Sequence, residues 1–595
     1  MDNKQLEELQ KEIKRLKKEN ADLKKKKKFG LVWEDSDKEI DIDDGEYYPY
    51  LMPKGRGFSN IENGDNNKNI LIEGDNYHAL QILQYTHKNQ IDIIYIDPPY
   101  NTGKKEDFKY NDKWVDNEDT YKHSKWLTFM NKRLKLAKEL LTKDGVLFIS
   151  IDDNEYARLY LLLCNYFPET KLKIIVVKMS ETSGLKMGAV TKKGTIPKLK
   201  EYIIVAKKDG IKNIHMDKIP KAQWDTEYNI FLENFTKEDK KLIDLTANQE
   251  NIQEVDISKL DKIAQQIRLV AVSKKIKELK LTVKNKEQWL FDNAYRIVRT
   301  TASNSVHRLT IEKKQFNSNE LFFVKSVKGL LYFVKSTFSE ESKKPRVQMI
   351  FAEDNLTQHP GDFWSDIKTT GLDNEGEVKF KNGKKPLKLL ERLLNSIKKD
   401  NLTVLDFFAG SGSTGHAIEN LNNKNKSNHK YILVTNNESK ICEDITYQRL
   451  KKINEKYNYN SNLEYLKLQT LKYDDKKYSE LDIKEFMVDK LTEILKVKER
   501  CFKLENITNF LMKFDKEDKD VYILQNIYNM KPIDYDNVKE KLSQSTQNTI
   551  SIYILALQNH QHYERKLIGI DKQIIFEPLP ENFLKVLRKI QRKKR

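Results

Sequence analysis

At 595 residues the chain has room for two to four domains of about 150 residues each, and its formal net charge of +18 favours an anionic partner, of which nucleic acid is the usual one for a basic protein. Charged residues make up 33% and hydrophobic residues 38%. No run reaches the roughly 20 apolar residues that cross a bilayer, which argues against a membrane role and for a cytoplasmic location. Cys164, Cys442 and Cys501 lie too far apart for metal-ligand spacing or a disulfide framework, so they are expected to be ordinary buried thiols, and no metal is expected.

Residues 1–28 carry a heptad. Leu6, Ile13 and Asn20 fall at a and Leu9, Leu16 and Leu23 at d. Glu12 and Glu19 at g face Lys17 and Lys24 at e in a parallel partner, which predicts a self-pairing coiled coil. The alternative is an amphipathic helix lying on its own chain. From Asn69 the pattern becomes α/β: a strand over Asn69–Glu73 ends in Gly74-Asp75-Asn76, and a helix follows through Leu80 and Leu83. Ile91–Ile96 is a near-continuous apolar run of the kind buried on both faces of a parallel sheet. The spacing of Leu127, Met130, Leu134, Ala137 and Leu141 predicts a helix over Ser124–Leu141, and Val146–Ile151 and Glu201–Ala206 read as further strands.

The βα alternation then stops. Residues 212–346 combine Lys-rich helical stretches (Ile257–Lys280) with β-rich pieces (Leu321–Val334) and read as an inserted domain. Alternation returns in residues 347–465, with a helix over Leu387–Lys398, a strand over Thr403–Leu405, a Gly-rich turn, a helix over Thr414–Leu421 and a strand over Tyr431–Thr435. Residues 466–595 are expected to form a mainly helical C-terminal assembly domain with a late strand at Ile550–Leu555. Two α/β parts, 29–211 and 347–465, thus flank the insert.

Two loops carry the chemistry. Asp97-Pro98-Pro99-Tyr100 follows one apolar strand, and Asp406-Phe407-Phe408-Ala409-Gly410-Ser411-Gly412 follows another, 309 positions later. Both would sit at the carboxyl edge of a parallel sheet, where open α/β folds bind ligands. Proline stiffens the first loop and offers no amide donor. It leaves the Asp97 carboxylate and the Pro98 carbonyl as two acceptors for the two hydrogens of an exocyclic amino group, with Tyr100 as a stacking face. In the second loop glycine lets the backbone approach a ligand closely. Gly410, Gly412 and Gly415 partly fill a dinucleotide-type frame, but the Asp406-Phe407-Phe408 prefix departs from it, and a Walker loop is excluded because no Gly-Lys-Ser/Thr follows.

The chain resembles the β-class adenine DNA methyltransferases, and among them the modification subunits of type III restriction-modification systems. The likeness rests on Gly74-Asp75-Asn76, Asp97-Pro98-Pro99-Tyr100-Asn101-Thr102-Gly103, Trp364-Ser365-Asp366-Ile367, Gly383-Lys384-Lys385-Pro386, Asp406 to Gly415, and Ile445-Thr446-Tyr447-Gln448-Arg449-Leu450. It implies a circularly permuted, Rossmann-like sheet in which Asp406 ends the first strand, Glu438 follows the second, Asp75 the third and Asp97 the fourth. It also implies S-adenosyl-L-methionine as cofactor and a flipped-out adenine as target. Asp97, Pro98, Pro99 and Tyr100 would be catalytic. Asp406, Phe408, Ala409, Gly410, Ser411 and Gly412 would cradle the methionine part of the cofactor. Glu438 would take the ribose, Asp75 with Asn76 the adenine, and Lys385-Pro386 would close the pocket. The insert would be a target-recognition domain, with Arg296 and Arg299 as base-reading candidates or as salt-bridging residues. Double-stranded DNA, a second copy of the chain and an ATP-dependent restriction subunit are the implied partners; a solitary methyltransferase and a non-catalytic specificity subunit are the alternatives.

Overall fold

A computed structural model describes residue 15 and most of residues 47–592. Outside the described residues lie 1–14, 16–46, 56–60, 63–67, 103–121, 181–187, 189–191, 193, 195, 211, 222, 339–341, 368–371, 373–374, 381–383, 460, 474–476, 517, 559 and 593–595. The coiled coil expected over residues 1–28 therefore falls outside the described residues, apart from residue 15. The chain divides into two compact units, one of Met1–His215 with Asp362–Arg595 and one of Met216–Gly361.

The larger unit is built on a sheet that holds, among the described residues, β1 (Tyr47–Pro53), β2 (Ile61–Glu62), β3 (Lys68–Glu73), β4 (Ile91–Ile96), β5 (Leu141–Ile151), β6 (Leu172–Lys178), β7 (Lys200–Lys207), β8 (Phe363–Trp364), β9 (Thr403–Asp406), β10 (Lys430–Thr435) and β11 (Asn462–Lys472). Their order is β1-β11-β3-β10-β9-β4-β5-β7-β6-β8, with β2 on β11. The run from β11 to β5 is parallel, and β7 enters antiparallel to β5 and β6. Ile93, Ile94, Tyr95 and Ile96 of β4 are all buried, as are Thr403–Asp406 of β9 and Tyr431–Thr435 of β10. Such unbroken burial requires helices on both faces. One of them, Lys122–Leu140, turns Trp126, Leu127, Met130, Leu134 and Ala137 inward at helical spacing. Another, Asn76–Thr86, is capped by Asp75, which accepts from the His78 amide at 3.1 Å.

After the antiparallel edge strands β1 and β2, the chain enters the parallel part of this sheet at β3, crosses to β4 and runs outward to β5. It returns at β9 and runs the other way through β10 to β11. The β9/β4 boundary is therefore the switch point of a permuted α/β sheet, as the resemblance implies. Leu405 pairs with Ile94 across it.

The C-terminal segment differs from expectation. Its helices, among them Glu480–Val488, Leu491–Glu499 and Glu581–Arg592, are accompanied by a five-stranded sheet of Leu504–Asn506, Leu511–Phe514, Asp520–Leu524, Thr549–Leu555 and Gln573–Leu579. These strands are short, and all but Thr549–Leu555 are bounded or broken by a charged residue. The expected boundary at residue 466 cuts through β11, and the segment is continuous with the main core: Ile483, Leu491, Leu495 and Leu587 share a cluster with Ile72 and Leu83.

The second unit has an antiparallel sheet in the order Arg268–Ala271, Ile230–Glu233, Ile297–Thr301, Gln348–Phe351, Leu331–Lys335, Leu321–Lys325. Two expectations are corrected here. The stretch Ile257–Lys280 is interrupted by the strand Arg268–Ala271, whose tie to Ile230–Glu233 is invisible to local periodicity. The insert runs past residue 346, because Gln348–Phe351 pairs with Ile297–Thr301. Stacked Phe323, Phe333 and Phe351, with ring centroids 4.7 and 5.8 Å apart, form its core with Leu260 and Ala264.

If the C-terminal helices belong to the main core, Leu491→Ala should cost about 2–5 kcal/mol and lower the melt of the whole larger unit. Two separate calorimetric transitions, only one of them shifted, would contradict this.

Candidate active site

The strand order lays Asp75, Glu438, Asp406 and Asp97 along the carboxyl edge of four adjacent parallel strands, β3, β10, β9 and β4. They do not have equal surroundings. The Asp75 side chain is half-exposed; desolvation pushes its carboxyl up, but the Arg133 guanidinium 3.2 Å away and the hydrogen bonds and charge of His78 together outweigh it and hold the carboxyl well below the usual range. Asp406 is buried, and burial pushes its carboxyl up to about 7. Thr414 Oγ1 donates to its Oδ2 at 2.6 Å, and the Phe408 amide to its Oδ1 at 3.0 Å, so Asp406 also shapes the loop it opens.

The Asp97–Tyr100 loop is held at several points. Trp126 Nε1 donates to the Pro99 carbonyl at 2.7 Å. Asn101, with φ +56°, donates from Nδ2 to the buried Glu155 at 2.5 Å, and His123 Nδ1 lies 2.5 Å from the same oxygen. Within the loop the Tyr100 hydroxyl lies 2.8 Å from Asp97 Oδ1. Lys385 Nζ donates to the Tyr100 oxygen at 2.6 Å and stands 3.3 Å from Asp97 Oδ1. It also pairs at 2.7 Å with Glu201 Oε2 on β7. Burial raises the Asp97 carboxyl above its ordinary value, and Lys385 only partly opposes this. Burial would lower the Lys385 ammonium, but Asp97 and Glu201 outweigh it and raise the net value. Lys385 thus meets the Asp97–Tyr100 loop itself, and the neighbouring Pro386 is the buried N-cap of helix Leu387–Leu394.

Behind the glycine loop, Thr446 Oγ1 donates to the Gly410 carbonyl. The buried Arg449 donates to Ser413 Oγ at 2.8 Å and Ser411 Oγ at 3.4 Å, and pairs with Glu375 at 3.1 Å. Gly412 has φ +74°, and a Cβ there would lie 3.1 Å from the Thr446 methyl. Ala409 and Ser411 are buried and Phe408 half-buried. Asn76 acts as a brace: its Nδ2 donates to the Phe407 carbonyl at 2.8 Å and its Oδ1 accepts from Arg133 Nε at 2.5 Å. Glu438 opens a 3-10 turn after β10 and is half-buried. Just before it, the buried Thr435 Oγ1 and Asn436 Oδ1 have no hydrogen-bond partner among the described residues.

Sequence reasoning gave no role to Glu201, Trp126, Thr446 or Arg449. Thr446 and Arg449 lie in a motif that carried the resemblance; Glu201 opens a strand and had no local signal. In the second unit Arg299 pairs with Glu227, and Arg296 donates twice to Asn293 Oδ1, at 2.9 and 2.6 Å. Both thus have partners there. Cys442 and Cys501 are buried and Cys164 is half-buried. No group of His, Cys, Asp and Glu among the described residues could hold a metal ion. Gly412→Ala should cost about 1–3 kcal/mol through its left-handed backbone, read as a lowered denaturant midpoint, whereas a change within error would show that the loop relaxes freely.

A family model described as DNA methylase matches residues 91–449. The protein named "Probable type III restriction-modification enzyme HindVI Mod subunit" of Haemophilus influenzae is 32% identical over 412 residues, covering 65% of this chain and 50% of that one. The type III restriction-modification enzyme StyLTI Mod subunit of Salmonella typhimurium is 28% identical over 398 residues, covering 62% and 52%. The chain thus spans about half the length of these two relatives. Among solved structures, the PvuII DNA methyltransferase (cytosine-N4-specific) is 11% identical, with 67% and 95% coverage and a TM-score of 0.28. The M1.HpyAVI–SAM complex is 12% identical, with 64% and 99% coverage and a TM-score of 0.25. The fold rests instead on the strand order described above. With more than half of its length inside the matched model, the chain belongs to the DNA methylase family.

Proposed function

We propose that this chain transfers a methyl group from S-adenosyl-L-methionine to N6 of an adenine flipped out of double-stranded DNA, as the modification and specificity subunit of a type III restriction-modification system. The observation that carries this reading is the adjacency of the two loops. The Asp97–Tyr100 loop leaves β4, the Asp406–Gly412 loop leaves β9, and those strands pair side by side in parallel.

The residues present fit the cofactor. A glycine loop with Gly410 and Gly412 at positive φ offers backbone without side-chain obstruction, and two orphaned oxygens, Thr435 Oγ1 and Asn436 Oδ1, are buried beside Glu438. Asp406, Phe408, Ala409, Gly410, Ser411 and Gly412 would hold its methionine part, Glu438 its ribose and Asp75 its adenine, with Asn76 bracing Asp75 through Arg133. When bound, S-adenosyl-L-methionine supplies an activated methyl group on a sulfonium. The protein's own part is positioning. Asp97 and the Pro98 carbonyl accept the two hydrogens of the target amino group and turn its nitrogen lone pair out of conjugation with the ring. Tyr100 stacks on the base, which must leave the duplex to reach the site. Lys385 keeps the Tyr100 hydroxyl and the Asp97 carboxylate together, while Pro386 starts the helix behind it.

The unit Met216–Gly361 is the target-recognition domain in this reading. The net charge of +18 suits a long DNA contact. The chain acts as a homodimer, with residues 1–28 as a pairing helix, and serves an ATP-dependent restriction subunit in the cytoplasm.

Methylome sequencing of an unmodified host expressing the chain should show N6-methyladenine in one short motif, and none with Asp97→Ala, which should still bind S-adenosyl-L-methionine. N4-methylcytosine would overturn the base assignment, and unchanged methylation in Asp97→Ala the catalytic one. A second expectation concerns pH. The Asp406 carboxyl sits at about 7 because it is buried, and a cationic ligand favours its ionised form. S-adenosyl-L-methionine affinity should therefore fall by up to about tenfold per pH unit below 7, measured by calorimetry. Affinity flat through that range would remove Asp406 from cofactor binding.

A further inference from the structure

The Tyr100 hydroxyl has one proton and two carboxylates within reach, Asp97 Oδ1 at 2.8 Å and Glu201 Oε2 at 3.1 Å. Its oxygen already accepts from Lys385 Nζ at 2.6 Å. Donation to Asp97 occupies one of the two carboxylate oxygens open to the target amino group. Donation to Glu201 leaves that oxygen to the substrate, with Lys385 still beside it. Glu201 can be there only because β7 runs antiparallel to β5, so that the first residues of β7, not its last, reach the carboxyl edge of the parallel strands.

We infer that Glu201 is a positioning residue for the methyl transfer proposed above, on which this inference rests: it takes the Tyr100 hydroxyl proton and shares the Lys385 ammonium, so that Asp97 Oδ1 stays open to the target amino group. The electrostatics agree. Burial would raise the Glu201 carboxyl, but Lys385, Lys198 and the Tyr100 hydroxyl outweigh it and hold it below the ordinary value. Burial raises Asp97, Lys385 opposes this, and the negative charge of Glu201 raises it further. The charged and titratable groups facing the pair are Lys385, Lys198, Tyr100, Tyr95 and Asp406. Tyr95 donates to or accepts from Ser150 at 2.8 Å, and Asp406 belongs to the glycine loop.

Two substitutions separate proton acceptance from charge. Glu201→Gln keeps an acceptor oxygen for Tyr100 and removes the charge; Glu201→Leu removes both. The assay is methyl transfer by the full chain from labelled S-adenosyl-L-methionine, varied up to saturation, to genomic DNA of an unmodified host. In Glu201→Leu, kcat should fall about tenfold or more with the KM for S-adenosyl-L-methionine near that of the wild type. In Glu201→Gln the acid limb of the kcat profile should move to lower pH, because Asp97 loses a neighbouring negative charge; a merely structural role would lower the profile without moving it. Wild-type kcat in Glu201→Leu, or an unmoved acid limb in Glu201→Gln, would overturn the inference while leaving the methyltransferase reading intact. A wild-type chain that transfers no methyl group, seen before any variant is made, would instead sink the parent reading.

Discussion

Everything at the candidate site depends on the parallel pairing of β9 with β4. It joins segments about three hundred residues apart, Leu405 to Ile94, and brings a glycine-rich loop beside a proline-stiffened one. Hydrophobic burial drives it. Ile93, Ile94, Ile96, Val404 and Leu405 are all buried, and strands apolar on both faces are stable only in the middle of a sheet covered by helices on both sides. Since β9 separates β4 from β10, neither half of the permuted sheet can bury its inner strand without the other.

The same arrangement gathers acidic groups, which would repel one another at close range. The protein answers with few cations placed near the loops. Lys385 stands among Asp97, Tyr100 and Glu201, and Arg133 sits between Asp75 and Asn76. The Arg133 guanidinium also lies 3.6 Å from the Phe129 ring centroid, which fixes its plane. Among the described residues no cation pairs with Asp406, and hydrogen bonds from Thr414 and the Phe408 amide offset its burial. Burial thus pushes this one carboxyl, at the start of the glycine loop, up to about 7.

The glycine loop has a second set of constraints behind it. Arg449 is fully buried, yet its guanidinium is used in several directions, toward Glu375, Ser411, Ser413 and His416. A buried guanidinium is tolerable only when its donors are satisfied. Its presence ties the helix Gln448–Tyr457 to the loop and to residues near Gly376, where any Cβ would run into it at 2.5 Å. The loop is thus set by residues well downstream of the motif that names it.

The sequence by itself determined the strands whose signal is continuous apolar burial, β4, β9 and β10, and the amphipathic helix before β5, because an unbroken apolar run and a 3.6-residue period are local properties. It also determined the acids that end or follow those strands, Asp97, Asp406 and Glu438, whereas their meeting with Asp75 at one edge depends on the strand order. It did not determine what requires a partner across the sheet. The strand Arg268–Ala271 inside an apparently helical stretch, the extension of the second unit past residue 346, and the C-terminal sheet all depend on hydrogen bonds to segments far along the chain. Asn76, whose amide bridges Phe407 and Arg133, and Glu201, carried to the site by an antiparallel strand, belong to the same class. Only tertiary structure decides such roles, because a side chain's partner is set by which strands become neighbours and in which direction they run, and neither is written in the residue's own surroundings.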